Sequence, residues 1–203
     1  MSGNSSHIAI YGSPSMGKTY FAINYFNQQL FWTINAPELH VEQLSARSGS
    51  IEFFYVEDLK PVTLPNADFC FIDYSAVKGY DPKDLGNYVV EMSELNFRNY
   101  NTMVYDEFQN LMPSSEKMDK KHTFLKWLSN ARNTGWRNVM MSQFPQLVSA
   151  SARRLATELI LFKIIDPDAF SVIAKQARAF GGFDYEQRNA ALSKREYLVY
   201  RQQ

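Results

Sequence analysis

Eight consecutive residues, Gly12-Ser13-Pro14-Ser15-Met16-Gly17-Lys18-Thr19, match the pattern G-x-x-x-x-G-K-[ST]. Each position has a physical task. Gly12 and Gly17 let the backbone curl, with Ser13, Pro14, Ser15 and Met16 between them, so that successive N–H groups face inward as an anion nest. A helix that starts at the end of the loop turns its positive end toward the same anion. Lys18 reaches the β- and γ-phosphates, and the Thr19 hydroxyl completes the shell of a Mg²⁺ ion. Together with Tyr20, the next residue, this stretch is expected to bind ATP and Mg²⁺.

Such a site needs a carboxylate for the ion and a group that activates water. Two apolar runs end in Asp, at Asp73 and at Asp106, but only Asp106 is followed by a second acid, Glu107. Adjacent carboxylates divide the labour: Asp106 is expected to hold Mg²⁺ and Glu107 to polarise the attacking water. Asp73, followed by Tyr74, reads as a strand-end turn residue. Gln143 closes the run Asn138-Val139-Met140-Met141-Ser142 before Phe144-Pro145 turns the chain. At a strand end it can hydrogen-bond both the water and the γ-phosphate, the position of a sensor.

These residues need a scaffold that brings them together, and the hydrophobic pattern supplies one. Short β-branched or aromatic runs are expected as strands at 7–11, 31–34, 51–56, 67–73, 102–105, 138–142 and 159–165, with a late edge strand at 197–200. Helices are expected at 17–29, 37–47, 82–97 (with Asp81 as N-cap), 122–133 and 167–180. Apolar strands separated by helices imply an α/β fold with a mainly parallel sheet, whose carboxyl-terminal edge is the ligand edge. No Gly/Ser linker or repeat divides residues 1–203, which reads as a single domain.

Composition narrows the class. At 45% apolar and 21% charged residues the chain supports a core and is neither a disordered tail nor a histone-like protein. Cys70, the only cysteine, rules out an internal disulfide framework and suits a reducing compartment. Apolar runs such as Leu159–Phe162 fall far short of the ~20 residues of a membrane span, and no basic leader precedes the first strand. The net charge is zero, yet eight Lys/Arg against the single acid Glu158 fall between Lys120 and Lys163. That window is either a solvated helix face or a surface for a polyanion.

The constellation resembles the additional-strand P-loop ATPases of the FtsK/HerA class. Within that class it is most similar to the genome-packaging ATPases of icosahedral viruses with an internal membrane, including small archaeal turreted viruses. Four blocks carry the resemblance: GSPSMGKT at 12–19, MVYDEFQNL at 103–111, NARNTGWRNVMMSQFPQLVSASARR at 130–154 and ELILFKIIDPDAF at 158–170. The resemblance implies a RecA-like three-layer sandwich and a Mg²⁺-dependent ATPase that translocates double-stranded viral DNA into a preformed capsid. It further implies a homo-oligomeric ring, hexameric or pentameric, with capsid or membrane-vertex partners, in the host cytoplasm and on the virion.

Residue by residue, it gives Lys18 and Thr19 the phosphate and metal roles, Asp106 the metal role, Glu107 the base and Gln143 the sensor. Arg132 falls where FtsK-like motors insert a finger into the neighbouring subunit's site, with Arg137, Arg153 and Arg154 as substitutes. Its other reading is a helix-end cation before the C′ residue Gly135. The loops Phe144–Arg154 and Ile165–Phe170 correspond to those facing a ring's channel, so Phe144, Arg153 and Arg154 are candidate DNA contacts. Asp166 and Asp168 argue against the second loop as a clamp. Two rivals remain: a helicase or helicase loader, using Phe144 and Trp136 as stacking platforms, and a nucleotide-gated assembly switch with little turnover.

Overall fold

A computed structural model describes residues 7–35, 49–114, 123–131 and 135–202. The helix expected at 37–47 and the finger candidate Arg132 lie outside the described residues. Eight strands form one sheet: β1 (His7–Tyr11), β2 (Gln29–Thr33), β3 (Ile51–Tyr55), β4 (Phe69–Asp73), β5 (Thr102–Tyr105), β6 (Arg137–Ser142), β7 (Glu158–Phe162) and β8 (Tyr197–Arg201). Their order is β3-β4-β2-β5-β6-β1-β7-β8. Every neighbouring pair is parallel except β7–β8, where the late edge strand runs antiparallel.

The helices are α1 (Lys18–Tyr25), α2 (Pro82–Asn96), α3 (Thr123–Asn130), the single turn α4 (Ala150–Arg153), α5 (Pro167–Ala179) and α6 (Tyr185–Ala191). Alternation along each strand sorts side chains into two cores. Ile8, Ile10, Phe31, Val104, Ile160 and Phe162 pack against Phe21, Ile23 and Phe26 in and just after α1. Ala9, Tyr11, Trp32, Tyr105 and Leu161 face the other way, toward Tyr88 of α2, Phe124 of α3 and Ile173 of α5. Covered on both faces, β1, β2 and β5 bury all their residues, and β4, β6 and β7 all but one. Edge strand β8 instead alternates exposed and buried. The result is the expected three-layer α/β sandwich, and among the described residues no helix is long and apolar enough to cross a membrane.

One boundary differs instructively. The helix expected through Gln29 stops at Tyr25, and Gln29 opens β2. Its buried carboxamide donates to the carbonyls of Ala22, Ile23 and Phe26 at 2.9, 3.3 and 2.7 Å. Gln29 thus satisfies the helix's last carbonyls from the following strand. Asp81 caps α2 as anticipated, accepting the Lys83 N–H at 2.8 Å.

Strand order decides what shares an edge. β6 is inserted between β1 and β5, so the glycine loop and the acidic doublet leave the sheet on one side with a single strand between them. The register pairs Tyr11 with Ser142 and Tyr105 with Met140, which brings Gly12, Gln143, Asp106 and Glu107 to one carboxyl-terminal edge.

Candidate functional site

The loop after β1 is shaped by close approach and left-handed turns. A Cβ added to Gly12 would lie 2.6 Å from the Phe162 Cβ, so the loop passes β7 closer than any side chain permits. Ser15 and Gly17 take φ values of 61° and 109°. Ser13 fixes the loop to the segment after β7: its N–H donates to the Lys163 carbonyl at 3.0 Å, and its hydroxyl accepts the Ile165 N–H at 2.9 Å. Lys18 opens α1 buried, with Nζ donating to the Gly12 and Ser13 carbonyls at 2.8 and 3.1 Å. Burial lowers its pKa, and the charges of Asp106 and Glu107 work in the opposite direction. Thr19 is half-buried beside it, and Tyr20 is exposed.

The acidic doublet faces this loop. Asp106 is 4% exposed, and accepts the Asn35 side-chain N–H at 3.2 Å and the Glu107 backbone N–H at 3.1 Å. Burial raises its pKa, opposed by the Asn35 bond and the Lys18 charge. At Glu107 the chain swings out of β5 through φ 51°, ψ 50°, a left-handed conformation uncommon for a side-chain-bearing residue. Burial also raises the Glu107 pKa, the Asp106 charge adds to it, and Gln109, Lys18 and Gln143 oppose it.

Both Glu107 oxygens are occupied by amides. Gln143 donates to Oε1 at 2.5 Å, and Gln109 donates to Oε2 at 2.6 Å. The Ser142 hydroxyl donates to the Gln109 carbonyl oxygen at 2.7 Å and accepts the Phe144 N–H at 3.0 Å. Gln109 escaped the sequence reading. Its one signal is a second amide two residues after Glu107, in the 3₁₀ turn Phe108–Asn110.

The remaining candidates separate. Arg153 turns its guanidinium onto its own loop, donating to the carbonyls of Pro145, at 2.7 Å, and Val148. Its role visible here is to hold the turn after β6. Phe144 and Arg154 stay exposed. Trp136 is 8% exposed and packs on Trp127, ring centres 5.0 Å apart, so it offers no stacking platform. Arg195 was not anticipated. It donates its N–H to the Met16 carbonyl at 2.9 Å, backs Gly17, and sets its guanidinium 4.8 Å from the Tyr20 ring centre. A cavity of about 250 Å³ opens there, lined by Gly17, Tyr20, Asn24, Tyr25, Arg195 and Tyr197 among others.

The hydroxyl of Thr19 and the carboxylate of Asp106 form a hard-oxygen donor set that fits Mg²⁺. No group of three or more His, Cys, Asp or Glu that could hold an ion occurs among the described residues. A bound ion would therefore draw its other oxygens from phosphate and water.

No protein-family model and no curated protein matches the chain. Solved structures do. The genome packaging NTPase of Sulfolobus turreted icosahedral virus 2 aligns over 98% of this chain and 92% of its own in complex with ATP-gammaS, with a TM-score of 0.63 at 15% identity. In complex with AMPPCP it aligns over 98% and 93%, with a TM-score of 0.65 at 14% identity. The DNA-packaging ATPase of Sulfolobus turreted icosahedral virus aligns over 98% and 93%, with a TM-score of 0.61 at 16% identity. At these identities the likeness is one of fold, and the fold is the RecA-like P-loop architecture with the extra strand β6.

Proposed function

We propose that the chain is a Mg²⁺-dependent ATPase that moves double-stranded DNA into a preformed viral capsid as a single-domain subunit of a homo-oligomeric ring. The observation that carries the reading is the convergence of Lys18, Asp106, Glu107 and Gln143 on one edge across β6. The fold shared with genome packaging NTPases supports the DNA-handling part.

In this reading the N–H groups of residues 13–19 seat the phosphates, and Lys18 exchanges its carbonyl partners for phosphate oxygens. Thr19 and Asp106 would hold Mg²⁺, which would supply positive charge against the phosphates. Glu107 takes the proton of the attacking water, and Gln143 orients that water. The cavity between Tyr20 and Arg195 seats the base. Arg132 supplies the trans guanidinium, and Phe144 with Arg154 meets the DNA backbone.

The amides on both Glu107 oxygens favour one rival, a nucleotide-gated switch with little turnover. Steady-state ATPase rates across protein concentration, with and without double-stranded DNA, separate the two. A motor gains rate with both. A flat, DNA-insensitive trace near zero establishes the switch. Glu107→Gln should retain ATP binding and lose turnover by ~10²-fold or more, the scale of a general base. Undiminished turnover in that variant overturns the base assignment.

A further inference from the structure

The bonds around Glu107 form a closed, polarised ring. Gln143 and Gln109 point their NH₂ groups at the carboxylate, and Gln109 turns its oxygen to the Ser142 hydroxyl. That hydroxyl, its one proton spent on Gln109, accepts the Phe144 N–H. Covalent chain from Ser142 through Gln143 to Phe144 completes the circuit. Every donor is oriented for an ionised Glu107, which only accepts. Each carboxylate oxygen keeps a second acceptor site, but one that already accepts an amide N–H is a weaker base toward a water proton, and the two amides together fix the orientation of the side chain. Gln109 lies on a turn that begins at Glu107 itself, where the Asn110 N–H returns to the Glu107 carbonyl at 2.9 Å.

We propose that Gln109, supported by Ser142, is a positioning residue that parks Glu107 in an idle state and links its release to the loop after β6. When the Gln109 side chain swings away, Oε2 loses its amide donor and becomes the stronger base. The same movement takes the acceptor from the Ser142 hydroxyl and loosens the Phe144 N–H that it holds. Activation of the base and movement of the loop are thereby one step. The inference rests on Glu107 acting as the base.

The test uses the full chain and two variants, Gln109→Leu and Ser142→Ala, with DNA-free and DNA-stimulated turnover, ATP affinity and the split between kcat and KM measured for each. Gln109→Leu should raise DNA-free turnover roughly three- to tenfold, the scale of one ordinary hydrogen bond, at unchanged ATP affinity. The ratio of stimulated to basal rate should shrink by a similar factor. Ser142→Ala should shift both readouts the same way by less, and it carries the test if Gln109→Leu does not fold. Unchanged or reduced DNA-free turnover, with ATP affinity intact, overturns the latch. Full turnover in Glu107→Gln overturns the base assignment instead, and an unmodified chain without turnover overturns both.

Discussion

Burial acts on Asp106 and Glu107 in the same direction, raising both above the ordinary carboxylate range near pH 4. Two consequences follow from the sign. As the proposed base, Glu107 must be ionised to accept a proton, so the acid limb of kcat should fall above that range in a pH–rate profile. A carboxyl whose folded pKa exceeds its unfolded one makes the native state hold the proton longer, so stability falls as pH rises through the interval between the two values. At neutral pH the buried Asp106 charge is thus a cost borne for function. Asp106→Asn should abolish turnover yet raise the melting temperature, by about 2–4 °C for each kcal/mol regained, as read by calorimetry. The convergence of Lys18, Asp106, Glu107 and Gln143 on one edge was legible in the sequence, because a glycine-loop pattern marks the first and strand ends mark the others. Gln109 and Arg195 were not, since an amide in a turn and an arginine in a loop acquire meaning only from what folding sets beside them.

Among the elements, the interior strands were readable from their apolar runs, and β8 from its short run of aromatic and aliphatic residues, while its alternation shows only in the burial. Helices without a stripe were not. In α6 only Tyr185 and Asn189 are buried, and the Asn189 side chain pairs with both backbone groups of Ile164 at 2.8 and 3.0 Å. α4 is a single turn, below the length at which periodicity exists. Gln29 looked helical because amides suit helices, but its buried carboxamide is needed as a cap from β2. One close element contact is the passage of Gly12 over Phe162. Gly12→Ala should force β1 and β7 apart at that point, lower stability by about 1–3 kcal/mol in urea unfolding and weaken ATP binding.

For the whole molecule, the sheet takes strands from residue 7 through residue 201, so loss of one central strand opens both cores. Cys70 on β4 reports on that cooperativity: it is wholly buried, and burial pushes its thiol up to about 12. Thiol reagents at pH 8 should leave the folded protein unlabelled and modify one equivalent once denaturant unfolds it. Chain order adds a constraint of its own. The phosphate loop belongs to the first strand, yet β1 lies between β6 and β7, Ser13 is tied to residues 163 and 165, and Gly17 is backed by Arg195. A ribosome therefore spells out the loop early and delivers its mould last. Until residue 195 has cleared the exit tunnel, the nascent polypeptide carries the glycine motif without the cradle that shapes it.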